Sequence, residues 1–199
     1  MNDIPLKWWS SIGDIIQMKE KICLLGDSSV GKTSLIRRYV LDQFSDNYLS
    51  TIGAKVTKKD LTYQFGDKTV NLSLLIWDIM GQKEDYSSSS QRFPSYKPSN
   101  MYFKDTKGAI IVTDITRYET FESVAFWHSN LTREVREDIP ILFFANKVDL
   151  LDEKQWPKQS VLGEFASYNK LAFTTSAKTG ENVNDGFFEL GKQIVMRRL

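Results

Sequence analysis

Apolar residues along this chain follow two different periods. Ile22-Cys23-Leu24-Leu25 and Ile139-Pro140-Ile141-Leu142-Phe143-Phe144-Ala145 are short, nearly unbroken apolar runs, the form taken by strands buried on both faces of a parallel sheet. Between Val56 and Asp78 the pattern alternates instead. Leu61, Tyr63 and Phe65, then Val70, Leu72, Leu74 and Ile76, flank Gly66-Asp67-Lys68, which predicts an antiparallel hairpin. The strands predicted in this way are 21–26, 56–65, 70–78, 108–114, 141–146 and 172–175. Helical spacing predicts helices over 32–41, 121–137, 157–169 and 184–197, with a further short helical stretch expected between 82 and 105. Strands and helices alternate, so the fold class is α/β, a mostly parallel six-stranded sheet with helices on both faces. Ahead of it, Ile4, Trp8, Ile12, Ile15 and Ile16 stand at near-helical spacing, broadened by Leu6 and Trp9. Residues 1–18 are therefore expected to form an N-terminal extension, helical in pattern, before a single domain over 19–199.

What opens the chemistry is the turn between the first strand and the first helix. Gly26-Asp27-Ser28-Ser29-Val30-Gly31-Lys32-Thr33 fits the G-x-x-x-x-G-K-[ST] phosphate loop in its required strand-to-helix setting, with Ser34 next in the helix. Its glycines let backbone N–H groups turn inward around phosphates, and the helix N-terminus adds a positive dipole end. Lys32 supplies a point charge for the terminal phosphates, and Thr33 a hydroxyl for Mg²⁺, which commonly takes its other ligands from water, phosphate and one or two side chains.

Asn146-Lys147-Val148-Asp149, at the end of the 141–146 run, bears on the base. Guanine presents donors at N1 and N2 that one carboxylate accepts together. Adenine has an acceptor at N1 and no N2 amine, and would leave a closed-in carboxylate unpaired. The expected ligands are GTP and GDP with Mg²⁺, not ATP. In sheets of this kind the ligand lies outside the carboxyl ends of the strands, where Gly26, Asp78, Asn146 and Ser176 all fall.

Length and composition narrow the remainder. The chain has 199 residues, and motifs spread along nearly all of them leave no room for a second domain. Hydrophobic content of 41% and 13% aromatics suffice for a substantial core, and a formal net charge of +1 gives no general drive toward nucleic acid or anionic lipid. The one cysteine, Cys23, excludes an intramolecular disulfide, fits a reducing cytosol and reads as a buried strand residue. No stretch approaches a transmembrane length, and Met1-Asn2-Asp3 is neither a signal peptide nor a myristoylation signal.

On five motifs in order, the chain resembles a small GTPase of the Ras superfamily, closest to the Rab branch. They are Gly26 to Thr33; Tyr48-Leu49-Ser50-Thr51-Ile52-Gly53, resembling switch I; Trp77-Asp78-Ile79-Met80-Gly81-Gln82, resembling switch II; Asn146 to Asp149; and Thr175-Ser176-Ala177-Lys178, resembling the last base-contacting loop. The resemblance implies a P-loop NTPase domain and assigns roles. Thr33 and Thr51 would ligate Mg²⁺, with Asp78 holding it through water. Thr51 and Gly81 would report the γ-phosphate. Gln82 would orient the attacking water, against the plainer reading of an exposed loop glutamine. Tyr48 would line the nucleotide, and Ser176, Ala177 and Lys178 would join Asn146, Lys147 and Asp149 around the base. Phe44, at the spacing from Thr51 at which relatives place an aromatic, would cover the base edge, or else simply pack at the end of the first helix.

The resemblance further implies a slow GTPase that works as a signalling or trafficking switch. No arginine stands in a recognisable finger position in cis, so an activating protein is expected, together with an exchange factor and an effector that reads the switches. The alternative is a guanine-nucleotide-binding scaffold with negligible hydrolysis. An ATP-dependent P-loop kinase ranks behind both.

Several features depart from the family pattern. Ile79 and Met80 replace a usual Thr-Ala pair, and Ser28 and Ser29 stand where Ras has glycines. Residues 83–104 lengthen switch II by about ten residues against the family's motif spacing, with four serines in a row and two prolines that disfavour a long helix. Tyr86, Phe93, Tyr96 and Tyr102 there would anchor a partner, or the segment is an elongated loop without consequence. The C-terminal residues 193–199 lack the cysteine that many relatives prenylate, so prenyl anchoring is not expected of this polypeptide as given, unless a tail was removed. For the extension, packing on the body or on a partner is favoured over a membrane surface, because Asp3, Asp14 and Glu20 offset Lys7 and Lys19. His128 reads as a surface or interhelical residue rather than a catalytic one, Trp127 and Trp156 as packing residues, and Arg37, Arg38, Arg197 and Arg198 as ordinary solvated or helix-end surface charges.

Overall fold

Strand β1 (Ile15–Leu25) lies at the centre of a six-stranded sheet of order β2-β3-β1-β4-β5-β6. The other strands are β2 (Ala54–Phe65), β3 (Lys68–Ile79), β4 (Thr106–Asp114), β5 (Ile141–Asn146) and β6 (Ala172–Thr174). This computed structural model describes residues 15–45, 51, 53–81, 100–135 and 137–199. Only β2 runs antiparallel, paired with β3 across the Gly66-Asp67 turn; every other neighbouring pair is parallel. The hairpin and the sheet class expected from the hydrophobic periods are thus observed.

Alternate side chains of β1 feed two separate cores. Ile22 and Leu24 join Leu72, Leu74 and Ile76 beneath helices α1 (Lys32–Leu41) and α6 (Val183–Met196), where Leu35, Tyr39, Phe187, Leu190 and Ile194 close the layer. Cys23 and Leu25 face the other way, into Ala109, Ile111 and Phe143. There α2 (Asn100–Phe103), α3 (Glu119–Glu122), α4 (Val124–Glu134) and α5 (Lys158–Gly163) contribute Phe103, Phe121, Val124, Trp127, Leu131 and Val161. Burial raises the Cys23 thiol to about 11, which leaves it protonated and unreactive at neutral pH. Glycine permits the closest approaches between layers: α6 passes the Tyr63 hydroxyl at Gly191, where a Cβ would overlap that oxygen.

Some expectations need correction. Ile15 to Met18 are not helical: they extend β1, in register with Thr69 to Leu72 of β3. Their burial has period two, with Ile16 and Met18 packed on the core and Ile15 and Gln17 exposed, and the ladder with β3 overrides a helical spacing that only Ile15 and Ile16 carried into this stretch. The remainder of the extension, residues 1–14, lies outside the described residues. The helix expected over 121–137 forms as α3 and α4, joined at Ser123, whose hydroxyl donates back to the Glu119 carbonyl. That expected over 157–169 is realised as α5 and a 3₁₀ turn over Ala166–Tyr168, ended by Asn169 at φ 49°. Of the lengthened segment 83–104, only its last five residues are described, where α2 forms.

Candidate functional site

Parallel registers bring the carboxyl ends of four strands level. Leu24 pairs with Asp78, and Asp114 with Asn146, so β1 delivers Gly26 to Thr33 beside the ends of β3, β4 and β5. The chain leaves β1 through Gly26 at φ 138° and enters α1 through Gly31 at φ 100°. Only glycine takes these conformations without strain, and the space agrees: a Cβ on Gly26 would strike the Val112 carbonyl oxygen, and one on Gly31 the Asn146 amide. Ser29 lies between them at φ 64°. Ser34 is half-buried in the first turn of α1.

Lys32 folds back under this loop. Its Nζ donates to the carbonyl oxygens of Gly26 at 2.7 Å and Asp27 at 2.8 Å. Burial pushes its ammonium down to about 8, although Asp78 and Asp27 favour the charged form. Gly81 sits directly over it. A Cβ at Gly81 would lie 2.5 Å from the same two carbonyl oxygens and closer still to Lys32 Nζ, so the chain after β3 approaches the loop only because residue 81 has no side chain. The Met80 N–H donates to the Gly53 carbonyl at 3.0 Å, which joins the segments that follow Thr51 and precede Gly81.

Beside Lys32 is a hydroxyl–carboxylate cluster. Thr33 Oγ1 donates to Asp78 Oδ2 at 2.5 Å and lies 2.9 Å from Thr51 Oγ1, which itself donates to Asp78 Oδ2 at 3.4 Å. Burial raises the Asp78 carboxyl above its ordinary range, against the opposing effects of Thr33, Lys32 and Thr51. Its other oxygen, Oδ1, is buried and has no partner among the described residues. Two hydroxyls gathered on one oxygen of a buried carboxylate whose other oxygen is unpartnered, next to a phosphate loop, form the hard-oxygen set that suits Mg²⁺ and its retained waters. The residues present fit the ion.

At the end of β5, Asn146 is 1% exposed. Its Nδ2 donates to the Val30 carbonyl at 2.8 Å, and its Oδ1 accepts from Thr175 Oγ1 at 3.3 Å and the Ala177 N–H at 3.2 Å. One side chain thereby holds three loops together. Asp149 is exposed and accepts from Ser176 Oγ at 2.6 Å; Ser176, fully buried, also accepts from the Thr179 N–H. Lys147, at φ 68°, donates its Nζ to Asp114 Oδ2 at 2.6 Å. Ala177 is buried and Lys178 exposed. Phe44 is half-buried and packs against the core that includes Leu35, Ile36 and Tyr39 of α1. Tyr48 and Gln82 lie outside the described residues.

Four residues to which the sequence assigned no such role belong to this assembly. Asp114 ends β4 with its carboxylate buried, accepting from the Thr116 N–H, Thr116 Oγ1, Arg117 Nε and Lys147 Nζ. Burial would raise its carboxyl, but the hydrogen bonds from Lys147 and Thr116 outweigh that and hold it below the usual carboxylate range. Arg117 also donates its Nη2 to the Ser28 carbonyl at 2.8 Å. Arg38, read above as a surface charge, donates to the Ala177 carbonyl at 2.9 Å and the Lys178 carbonyl at 2.7 Å and so pins the loop after β6 to α1. Trp127 is more than packing, since its Nε1 donates to Asp27 Oδ1 at 2.7 Å. A signal for Asp114 was present: like Asp78 it is a lone carboxylate closing an apolar strand, Ile110-Ile111-Val112-Thr113-Asp114 beside Leu74-Leu75-Ile76-Trp77-Asp78.

Comparison with known proteins agrees with this arrangement. Residues 21–196 match the Ras family. The chain is 37% identical over 182 residues to the GTP-binding protein ypt5 of Schizosaccharomyces pombe, spanning 91% of this chain and 80% of that protein. It is 35% identical over 174 residues to the Ras-related protein Rab-22A of Homo sapiens, spanning 87% and 82%. With the Ras-related protein Rab-21 of Bos taurus the identity is 34% over 175 residues, spanning 88% and 72%.

Proposed function

Because the chain belongs to the Ras family, on its Rab branch, we propose that the pocket at the carboxyl edge of the sheet holds GTP or GDP in one orientation, with the base on Asp149 and the phosphates on 26–34. The protein is a GTPase, a GTP-binding molecular switch of the trafficking kind. The observation that carries the orientation is the Asn146 bridge, which fixes the distance between the base loops and the phosphate loop from a single buried amide.

Each residue has a physical task. Asp149 accepts from the donors on the base edge, while Ser176 and Ala177 close that edge and the Lys147 stem, tethered to Asp114, covers the base plane. Backbone N–H groups of 29–33 and the Lys32 ammonium balance the phosphate charge. Thr33, Thr51 and Asp78 would hold Mg²⁺, which when bound neutralises charge on the phosphate oxygens. Thr51 and Gly81 already lie within reach of Lys32 and Thr33, so an added phosphate at that point bears on both segments together, and its loss releases them. Gln82, adjoining Gly81, is the group proposed to orient the attacking water; its amide is too weakly basic to take the proton.

An activating protein, an exchange factor and an effector are the partners expected of a member of this family, and the lengthened segment 83–104 is proposed as surface for one of them. No described helix is long and apolar enough to cross a membrane. A reducing cytosol is the proposed compartment, supported by the single buried cysteine. Single-turnover hydrolysis tests the catalytic assignment. Phosphate release from bound GTP should fall at least tenfold in Gln82→Leu while GDP affinity stays within a factor of about two. Equal rates in the two proteins, with or without a candidate activator, would remove Gln82 from the chemistry.

A further inference from the structure

The peptide between Ser28 and Ser29 is held in an unfavourable orientation, and its restraint comes from outside the phosphate loop. Ser29 has φ 64°, a region that a residue with a Cβ occupies at a cost. A trans peptide is planar, so its carbonyl and the next N–H point in opposite directions. Fixing the Ser28 carbonyl outward therefore turns the Ser29 N–H toward the phosphate side.

Arg117 does the fixing. Its Nη2 donates to the Ser28 carbonyl at 2.8 Å, and its Nε donates at 3.1 Å to Asp114 Oδ2, whose side chain is 1% exposed. The same oxygen takes Lys147 Nζ at 2.6 Å, so one buried carboxylate joins the phosphate loop to the base loop. A second tie runs in parallel: the Asp27 carboxylate accepts from Trp127 Nε1 at 2.7 Å and Ser123 Oγ at 2.6 Å. Two successive residues of the loop are thus anchored to the segment 114–127, Asp27 through its carboxylate and Ser28 through its backbone carbonyl.

We propose that Arg117 is a positioning residue for nucleotide retention: by pinning the Ser28 carbonyl it presets the Ser29 N–H for phosphate and slows release of GDP. It acts through the loop rather than on the phosphates, because two of its donors are already engaged by Asp114 and Ser28. The inference rests on the nucleotide reading above. Preorganisation of this kind acts mostly on dissociation, since the ordering it supplies in advance is otherwise required of the complex.

The test measures association and dissociation of a fluorescent GDP on the full chain with Mg²⁺. In Arg117→Ala dissociation should rise about tenfold, the effect of losing a hydrogen bond from a charged donor, with association changed less than twofold. Arg117→Lys should fall between, because an ammonium lacks the planar fork that serves two acceptors. A Ser29→Gly background separates this role from general loosening: with the strain at residue 29 removed, adding Arg117→Ala should raise dissociation less than threefold. Dissociation within twofold of wild type in Arg117→Ala, or an undiminished tenfold effect in the Ser29→Gly background, would overturn the proposal. Wild-type protein that takes up no GDP would instead overturn the nucleotide reading, so the two failures are distinguishable.

Discussion

Replacing Asp149 with Asn should weaken GDP binding by about 10⁴, the discrimination seen when a site built for a hydrogen bond meets a partner that cannot make it. Guanine offers donors at N1 and N2, and an ionised carboxylate can accept both while still taking the Ser176 hydroxyl at 2.6 Å. An asparagine keeps one acceptor and presents an NH₂ in place of the other. That NH₂ faces either the base amine, donor against donor, or the Ser176 hydroxyl, whose own lone pairs also receive the Thr179 N–H. Xanthine carries an oxygen where guanine carries the amine, so the same substitution should improve binding of xanthosine diphosphate. Competition against a fluorescent guanine nucleotide measures both, and an unchanged GDP to xanthosine diphosphate ratio would remove Asp149 from base recognition.

Lys32→Met should lower GDP and GTP affinity by about 10³ while leaving guanine selectivity intact. Hydrogen bonds from a charged donor contribute up to about 3 kcal/mol each, and the ammonium has more than one to give to terminal phosphates. Its position is prepared: the side chain already lies under the loop, held by the Gly26 and Asp27 carbonyls. The ligand-free fold should survive the change. Methionine leaves those two carbonyls without their donor, but it also removes an ammonium whose burial is unfavourable enough to depress its pKa to about 8. These effects are of similar size and opposite sign, so thermal unfolding without nucleotide should shift by only a few degrees. Affinity within tenfold of wild type would contradict the assignment, as would a loss confined to guanine over xanthine nucleotides. The pair of variants separates the two halves of the ligand, one acting on the base and the other on the charged tail.

Much of the fold and site was legible because local spacing determines it. The phosphate loop needs glycine at 26 and 31, where a Cβ would meet Val112 and Asn146, and such a requirement survives as a readable motif. The apolar runs at 22–25 and 141–145 are nearly continuous because both faces of those strands are covered. Ile15 to Met18 misled because two adjacent isoleucines suit a helix stripe and a strand equally, and the ladder with β3 that decides between them is remote in sequence. Arg117 and Arg38 escaped for a related reason. Arg117 meets Ser28 across 89 positions and Arg38 meets Ala177 across 139, and no local pattern records a contact at that range. Trp127 was legible as a core residue, and it is one at 1% exposure, yet its indole N–H on Asp27 depends on how α4 lies against the loop.

Calorimetric titration of the nucleotide-free chain with GDP and with ADP, each with and without Mg²⁺, tests the central claim most directly. The account predicts tight one-to-one binding of GDP that weakens when Mg²⁺ is withdrawn, and ADP binding at least a thousandfold weaker under every condition. Binding of ADP as tight as that of GDP, or no uptake of GDP with Mg²⁺ present, would contradict it.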